Sequence, residues 1–453
     1  MRPALYTAAW LLPVSAPPLR DGALLVDEAG TIAWLGPKAE APAGEDFERI
    51  DLGPCALLPG LVNAHGHPEL AAFRGLLEDL PFQQWIPTLR RTRLAAALVP
   101  ADLFAAALWS CAESLAAGVT CTGATEDSDA ALRAFASSGM RGVAYREVFA
   151  PDPATAGAAL IDLRARVAAM RAYASDLVRI GISPHAPYTV SNELYRGCAA
   201  LAADESLPVA VHAAEAEAEA LLVERGEGPF AAGLRTRGIA TPPRARSTIA
   251  LLEATGVLAR APLVIHAVRI DAADIAALAA AGASIAHCPV ANARLGHGIA
   301  PIVEAAAQGV NVALGSDSVA SNNRIDLLEE ARIAQLLQRA RLQSAGALPA
   351  AELLRMVTLN GARALGFDTR VGVLEPGRDA DLCAVRLDGV HARPVSDPGA
   401  ALFMSARASD VVLTAVRGRI LYRDGTWLSI DVSALAPQIT ALGERLRDAR
   451  AGS

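Results

Sequence analysis

The sequence predicts an α/β fold: a closed parallel (β/α)8 barrel of the TIM type, with a small flanking β-sandwich. Three observations support this prediction. Eight short apolar runs of β character alternate with longer Ala-, Leu-, Arg- and Glu-rich stretches of helical period. Six of the eight histidines lie where one of these runs ends. Both ends of the chain consist instead of short strand-like runs separated by turns.

Residues 1–57 are expected to supply the first part of the β-sandwich. The segment "GALLVDEAGTIAWLG" (22–36) alternates apolar and polar residues around "DEAG", which predicts two strands joined by a turn. We prefer this interpretation to a signal peptide, because the opening segment lacks a clear small-residue cleavage site.

Residues 58–365 are expected to form the barrel. Parallel strands are buried on both faces, so they are typically continuous apolar runs. In barrels of this kind the active site lies at the C-terminal ends of the strands. The eight predicted strands are "LLPGLVNAHGH" (57–67), "GVTCTGATE" (118–126), "RGVAYREVF" (141–149), "VRIGISPHAP" (178–187), "PVAVHAAE" (208–215), "PLVIHAVRI" (262–270), "GASIAHCPVA" (282–291) and "NVALGSDSVA" (311–320).

Polar residues concentrate at the ends of these predicted strands, where a barrel would bring them to one rim. They are His65, His67, Arg146, Glu147, His185, His212, Glu215, His266, His287 and Asp317. Residues 366–430 are expected to complete the β-sandwich, and residues 431–453 to form a C-terminal helix.

The composition indicates a well-buried globular protein. It is 53% hydrophobic and 20% charged, with a net charge of −7, and its arginines are scattered, so we expect neither a nucleic-acid nor a membrane partner. The six cysteines include no CxxC pair, which is typical of buried thiols in a reducing compartment. The sequence contains no uninterrupted apolar stretch of about 18 residues. We therefore expect a cytoplasmic protein that acts on a small molecule.

A divalent metal site is the chemistry that the strand ends favour. His65 and His67 lie two residues apart on one face of a strand, with Gly66 between them leaving room for a close approach. With His212 and Asp317 they offer three imidazoles and one carboxylate, a suitable set for zinc with an open water position. Zinc lowers the pKa of the water it binds toward ~7.

The remaining strand-end residues suggest proton transfer and substrate binding. We expect Asp317 to take up a proton from the attacking water, His266 to orient that water, and Glu215 to pass a proton to the substrate. His185 and His287 are expected either to contact the substrate or to brace a loop. His297 and His391 are interpreted as ordinary surface or loop residues.

The number of lysines in the sequence indicates how many metal ions the site can hold. Lys38, in the predicted flanking β region, is the only lysine in the sequence. The barrel therefore cannot supply a carbamylated lysine as a bridging ligand, and we expect one metal ion per chain unless a glutamate or cysteine bridges two.

Motifs distributed along almost the whole chain resemble the amidohydrolase superfamily. They are "PGLVNAHGH", "SPHAPYTVS", "VHAAEAE", "VIHAVRID", "HCPVANARLGHGIAP", "GSDSVASNNRIDLLEEAR", "TLNGARALG" and "GVLEPGRDADL". The chain is most similar to the branch that includes S-adenosylhomocysteine/methylthioadenosine deaminases, aminodeoxyfutalosine deaminases, guanine deaminases and chlorotriazine hydrolases. The resemblance implies one zinc, sometimes iron, per chain, held by His65, His67, His212 and Asp317. It assigns the water-orienting role to His266 and the proton shuttle to Glu215.

The same resemblance implies hydrolytic deamination, in which water replaces a ring amino group and ammonia leaves. In the loop "LEDLPFQQWI", Trp85 matches a tryptophan of the adenosine-type branch. Gln83 stands where that branch has an acidic residue that binds the ribose. Arg146 is expected either to clamp a substrate carboxylate or to pair with Glu147. The "REVF" segment and the Pro-Asp-Pro loop after it are more similar to aminodeoxyfutalosine deaminases, and so to menaquinone biosynthesis.

Our leading hypothesis is a zinc-dependent deaminase of a 6-aminopurine nucleoside, either aminodeoxyfutalosine or an adenosine, S-adenosylhomocysteine or methylthioadenosine type. One alternative is an aminohydrolase or dechlorinase acting on another ring, such as guanine or a triazine. Another, of a different class, is a catalytically inactive barrel used for binding. Because symmetric dimers are common, a homodimer is the expected assembly.

Overall fold

A nine-stranded sheet begins at the start of the chain. The computed structural model describes residues 2–44 and 46–452. In the first part of the chain, apolar and polar residues alternate in strands that have one face buried. These strands are β1 (Ala4–Leu11), β2 (Leu19–Val26), β3 (Ile32–Pro37), β4 (Glu48–Asp51) and β5 (Cys55–Pro59). β2 and β3 pair antiparallel, as the alternation around "DEAG" predicts.

The barrel follows directly. Its eight parallel strands form two groups of four, and single bridges close both seams, from Ile182 to Val209 and from Gly66 to Asp317. The prediction of a closed parallel barrel is therefore confirmed. The strands are β6 (Leu61–Gly66), β7 (Val119–Glu126), β8 (Arg141–Val148), β9 (Val178–Pro184), β10 (Ala210–Ala213), β11 (Leu263–His266), β12 (Ser284–His287) and β13 (Asn311–Leu314).

Helices cover the outside of the barrel and bury their apolar stripes against the strands. All eight residues of β7 are buried, as is typical of a strand with packing on both faces. The helices are α1 (Phe82–Ala95), α2 (Pro100–Ala116), α3 (Ala130–Ser138), α4 (Ala156–Met170), α5 (Asn192–Glu205), α6 (Glu217–Arg225), α7 (Gly228–Arg235), α8 (Thr248–Ala254), α9 (Ala272–Ala281), α10 (Pro289–Arg294), α11 (Ile302–Ala307), α12 (Val319–Asn322), α13 (Leu327–Leu342), α14 (Ala350–Met356), α15 (Leu359–Ala364), α16 (Pro398–Met404) and α17 (Val432–Ala451).

The first sheet is completed by strands from the far end of the chain. β14 (Leu382–Arg386) pairs antiparallel with β5, and β15 (Val411–Val416), β16 (Arg419–Arg423) and β17 (Thr426–Trp427) extend the sheet from it. At the opposite edge, the backbone of Ile32 hydrogen-bonds to Gly377 and Arg378, just before β14. The sheet therefore folds back on itself around one apolar core, as the predicted β-sandwich requires.

The long apolar run that ends at His67 belongs to two sheets. Its first part forms β5 in the flanking sheet and its second part forms β6 in the barrel, with Gly60 between them. A side chain at Gly60 would collide with Thr120 of β7, because a Cβ built there lies 2.2 Å from the Thr120 Oγ1. The domain division at residues 57 and 58 stays a prediction.

The flanking sheet is joined to the N-terminal ends of the barrel strands. Arg141, the first residue of β8, is fully buried and donates hydrogen bonds to Asp379 and Asp381, which precede β14. The polar strand ends lie at the opposite rim, so the two sheets are anchored away from the candidate site. Within the described residues, no helix combines the length and apolar character needed to cross a membrane.

Candidate active site

Three barrel strands bring the predicted metal ligands together. His65 and His67 end β6, His212 lies in β10, and Asp317 follows β13. The Asp317 Oδ1 lies 3.3 Å from the His65 Nε2 and 3.5 Å from the His67 Nε2. The ring centroids of His65 and His212 are 4.9 Å apart, and those of His67 and His212 are 5.4 Å apart. The ligand atoms of His65, His67 and Asp317 lie within 4.8 Å of one another, and so do those of His65, His212 and His266, so His65 belongs to both sets.

The protonation states of these groups fit a divalent cation. Burial lowers the pKa of His65 and His212, and it lowers the pKa of His67 to about 3, so the imidazoles are neutral with lone pairs available. Burial alone would raise the pKa of Asp317, but the nearby imidazoles, that of His65 above all, lower it well below the usual range. Three neutral nitrogens around an ionised buried carboxylate form a typical zinc-binding donor set.

Several backbone positions at this rim have left-handed conformations without being glycine. Ala214, His266 and Asp317 have φ angles of 53°, 75° and 56°. Such conformations cost on the order of 1–3 kcal/mol each and are typically found at functional sites. β11 ends at His266, Ala214 directly follows β10, and Asp317 lies three residues after β13.

Gly66 is less constrained than the sequence indicates. A Cβ built on Gly66 lies 3.4 Å from the Asp317 carbonyl oxygen, an ordinary contact distance. The glycine that permits close approach is Gly315, where a Cβ would lie 2.9 Å from the His65 Cβ. The chain after β13 therefore approaches His65 more closely than it approaches Gly66, and the role expected of Gly66 stays a prediction.

Asp317 has its two oxygens directed to different partners. The Ser321 hydroxyl donates a 2.8 Å hydrogen bond to the Asp317 Oδ2, while Oδ1 faces His65 and His67. Because Ser321 lies in α12, one helical turn after Asp317, this bond fixes the rotation of the carboxylate. Oδ1 remains directed to the imidazoles.

Glu215 lies in a buried cluster with two histidines. The Glu215 Oε1 is 3.5 Å from the His266 Nε2 and 3.2 Å from the His297 Nε2. Burial raises the pKa of Glu215, but the charge of His266 and the hydrogen bond with His297 outweigh it, so this pKa is lowered overall. The Nδ1–H of His266 donates to the Asn292 side-chain oxygen at 2.9 Å, which directs its Nε2 toward Glu215.

The backbone around Glu215 is held by a second glutamate. Glu219 is fully buried, and its carboxylate accepts hydrogen bonds from the backbone N–H groups of Ala214 and Glu215 and from the Thr248 hydroxyl. Burial raises the pKa of Glu219 to about 7. Glu219 therefore fixes the turn in which Glu215 leaves the strand.

A cavity of about 750 Å³ opens above this cluster. Its floor contains His67, Glu215, His266 and Asp317 among other polar side chains, and its outer wall is mainly apolar. The volume is suitable for a ligand of nucleoside size or somewhat larger. The apolar wall includes Leu70, Phe82, Trp85, Ile86, Leu89, Leu94, Leu98, Leu103, Phe149 and Leu295.

The structure brings some of the predicted substrate-binding residues to this cavity. Trp85, on α1, and His185, after β9, both line it. The His185 Nδ1 lies 2.7 Å from the Thr189 hydroxyl, and burial lowers the pKa of His185 to about 4.

The structure does not bring Gln83, Arg146 or His287 to the cavity wall. Gln83 is exposed, because the buried face of α1 passes through Phe82 and Trp85. Arg146 alternates with the inward-facing Glu147, and the charges around its guanidinium include those of Asp127 and Arg166. His287 is buried, and both of its ring nitrogens lack a hydrogen-bond partner among the described residues.

Sequence reasoning missed three residues of the site. His297 was expected at the surface or in an ordinary loop, but it is only 4% exposed and faces Glu215. The expectation was wrong because a short helix, α10, lies between β12 and residue 297 and brings this residue back to the rim. Hydrophobic periodicity does not reveal such a return. The sequence did contain a clue to Asn292 and Glu219, because each lies in a polar motif that follows a histidine at a strand end. His391 is on the surface and pairs with Asp410.

The amidohydrolase family profile matches residues 56–421 of this chain. The 5-methylthioadenosine/S-adenosylhomocysteine deaminase of Syntrophobacter fumaroxidans is 33% identical over 423 residues, which cover 92% of each chain. The 5'-deoxyadenosine deaminase of Methanothermobacter thermautotrophicus is 34% identical over 375 residues, which cover 82% of each chain.

Solved structures of the same kind are similar over nearly the whole chain. An adenosine deaminase from Xanthomonas campestris with bound zinc has a TM-score of 0.84 and 28% identity, covering 98% of both chains. Atrazine chlorohydrolase from Arthrobacter aurescens, complexed with zinc, has a TM-score of 0.84 and 25% identity, covering 97% of this chain and 100% of its own.

Proposed function

This chain belongs to the amidohydrolase family, and we propose that it is a zinc-dependent hydrolytic deaminase of an aminopurine nucleoside. The observation that carries this proposal is the convergence of His65, His67, His212 and Asp317 beside the Glu215–His266 pair on the floor of the cavity. The names of the relatives, which are nucleoside deaminases, support the substrate class.

We assign one zinc ion to the four ligands, with iron as the alternative metal. When bound, such an ion acts as a Lewis acid and makes a coordinated water more acidic. The single lysine, Lys38, precedes the barrel and is not available as a bridging ligand. The donor set of three neutral imidazoles and one carboxylate supports a single ion.

The proton transfers are assigned to residues of the chain. Asp317 accepts a proton from the attacking water, since its Oδ1 faces the ligand cluster. Glu215, ionised at the start, takes up the other proton of this water and delivers it to the ring nitrogen beside the reacting carbon, so negative charge does not accumulate on the ring. A carbon–oxygen bond forms, and the carbon–nitrogen bond then breaks. The amino group takes the proton from Asp317 and leaves as ammonia.

His266 and His297 support this transfer by contacting the same oxygen of Glu215, Oε1. His266 is held by Asn292, so its Nε2 has a fixed direction toward the water and Glu215. The His297 Nε2 lies 3.2 Å from this Oε1. Donors fixed before the reaction stabilise the charge that develops in the transition state without reorganising.

The lining of the cavity favours a substrate with a polar reacting ring and a larger apolar portion. Trp85 offers a flat apolar surface for a base or sugar. Arg146 is not part of the cavity wall, so the carboxylate of aminodeoxyfutalosine has no support from this residue. We therefore favour adenosine-type nucleosides over aminodeoxyfutalosine.

An ammonia-release screen tests this proposal. The purified protein, loaded with zinc, is given adenosine, 5'-deoxyadenosine, methylthioadenosine, S-adenosylhomocysteine, aminodeoxyfutalosine, guanine and a chlorotriazine. We expect the highest kcat/KM with an adenosine-type nucleoside. A highest value with guanine would identify another ring amine as the substrate, and chloride release from the triazine would identify a dechlorinase. No turnover of any compound would support a barrel used only for binding.

We place this enzyme in the cytoplasm as a homodimer. The six cysteines are all free and buried, which fits a reducing compartment. Size-exclusion chromatography with light scattering measures the assembly, and a monomeric mass would contradict this part of the proposal.

A further inference from the structure

One carboxylate at the rim is not used by the proposed reaction. Glu147 lies near the end of β8. Because side chains alternate along a strand, it points into the barrel, where it lines the cavity. Its side chain is only 8% exposed. It lies on β8, with one barrel strand, β9, between it and β10, the strand that Glu215 follows.

Glu147 lacks the partners that a buried carboxylate normally has. Its Oε1 lies 3.9 Å from the His185 Nε2 and 4.0 Å from the His212 Nδ1, both beyond hydrogen-bond distance. Among the described residues, this oxygen has no hydrogen-bond partner. Buried polar groups are nearly always paired, and an unpaired one requires an explanation.

Arg93 does not supply this partner. It also lines the cavity, but its guanidinium pairs with Glu69 at 2.9 Å and with Asp127 at 2.7 Å. Two carboxylates already share this one positive charge. Burial and the charges of Asp127 and Glu69 therefore raise the pKa of Glu147 well above its usual value, although Arg93 lowers it.

His185 presents a second hydrogen-bond acceptor, its Nε2, to the Glu147 Oε1. The Thr189 hydroxyl donates to the Ala186 carbonyl oxygen, so it accepts a hydrogen bond from the Nδ1–H of His185. The neutral ring then has its lone pair on Nε2, which points to the Glu147 Oε1. Two acceptors thus meet at the wall of the cavity with a separation too long for a direct bond.

We propose that Glu147 and His185 form a substrate-binding pair that accepts one hydrogen-bond donor of the substrate, other than the amino group that leaves. The donor is a hydroxyl or an N–H group, because these supply the hydrogen that the pair lacks. The inference rests on the proposed function, since the substrate is taken to be an aminopurine nucleoside. The pair then selects substrates at the side of the cavity formed by β8 and the end of β9.

The alternative role of Glu147 is to support His212. A carboxylate that accepts from a metal-binding imidazole orients that ring and strengthens metal binding. The two roles predict different losses, because a support for His212 affects metal content and a substrate-binding residue affects KM.

The test compares Glu147→Gln with the wild type on matched nucleosides. Adenosine, 2'-deoxyadenosine and 3'-deoxyadenosine differ in one hydroxyl each, and 2,6-diaminopurine riboside adds one N–H donor. We expect the variant to keep its zinc and to raise KM about 10- to 100-fold for nucleosides that carry the bound donor. For the analogue that lacks this donor, the KM of the variant and of the wild type should be the same.

Glu126→Gln is the matched control. Glu126 is a buried carboxylate in the preceding strand that does not line the cavity, and one of its oxygens also lacks a partner among the described residues. We expect its KM values to equal those of the wild type.

Two results would overturn the inference while leaving the proposed function intact. One is an equal rise in KM for every nucleoside in the Glu147→Gln variant. The other is a loss of bound zinc with unchanged KM, which would assign Glu147 to His212. A wild type that deaminates none of these nucleosides would instead overturn the proposed function, and the inference with it.

Discussion

Single residues determine whether this rim is a catalytic site. Glu215 is buried between two histidines, and its pKa is held below the usual range by His266 and His297 despite burial. An ionised carboxylate at this position is ready to accept a proton at neutral pH. The site thus has one carboxylate among the imidazoles of the ligand cluster and a second directed to the substrate.

Glu215→Gln should lose activity without losing metal. The amide keeps the size and one acceptor oxygen but cannot carry a proton, so we expect kcat to fall by about 10²- to 10⁴-fold. Elemental analysis should give one zinc per chain in both proteins. A variant with near wild-type kcat would contradict the proposed role, and two tightly bound ions would contradict the single-metal site.

His297→Gln should change the pH dependence. The hydrogen bond with His297 lowers the pKa of Glu215, so its loss should raise this pKa. The acidic limb of kcat/KM, below which Glu215 is protonated, should then move to higher pH. His391→Gln, which alters a surface histidine paired with Asp410, is the control and should leave the profile unchanged. An unmoved limb in His297→Gln would show that the histidine does not act on Glu215.

At this scale the sequence predicted which polar residues meet at the rim but not the residues that orient them. His65, His67, His212 and Asp317 follow β-type runs, so barrel topology alone predicts their convergence. Arg146 and Glu147 are neighbours, and only one of two neighbours can face the barrel interior. The sequence does not define which one, because that depends on how β8 pairs with β7 and β9.

Among the secondary-structure elements, α1 determines which side chains form one wall of the cavity. It lies over the cavity and places Trp85 in the wall while Gln83 is exposed. The motif "PFQQW" contains both residues, and the rotation of the helix decides which one meets the substrate. That rotation follows from the packing of α1 on α17, a contact between distant parts of the chain.

Trp85→Ala should weaken substrate binding, and Gln83→Ala should not. Stacking of a base on an aromatic ring contributes about 1–3 kcal/mol, so we expect KM to rise about 5- to 100-fold in the tryptophan variant. Trp85→Phe should restore most of the loss, which separates lost stacking from a misfolded helix. Steady-state kinetics on adenosine measures all three. A larger effect of Gln83→Ala would mean that α1 turns its other face to the ligand.

The sequence could not show that the first apolar run is divided into two strands, β5 and β6. Both β5 and β6 are fully buried, so hydrophobicity is continuous across Gly60. Periodicity gives no boundary where two buried strands follow each other directly. The remaining barrel strands were separated by clear helical segments, and their predicted positions agree with those of β7 to β13.

For the whole molecule, the stability of the joint between the two sheets depends on Arg141. Its guanidinium is fully buried and bonds to both oxygens of Asp381 and to one of Asp379. The two carboxylates raise its pKa further above the usual arginine value, although burial opposes this. The network therefore holds the start of β8 against the segment that enters β14.

Arg141→Met should destabilise the protein strongly. Removing one partner of a buried ionic network leaves uncompensated charge, at a cost of about 3–5 kcal/mol in the free energy of unfolding. Urea denaturation measures this loss. Arg166→Met removes an exposed arginine that pairs with Asp162, and it should change the free energy by less than about 0.5 kcal/mol. Equal midpoints for the two variants would exclude a structural role for the buried network.

The pairing of β5 with β14 also affects how the protein is made. Most of the chain separates Pro59 from its partner Leu382, so β5 leaves the ribosome long before the strand that covers its edge. An uncovered edge strand is a template for aggregation. Until β14 has been synthesised, this edge of β5 is therefore open to pairing with a neighbouring nascent chain.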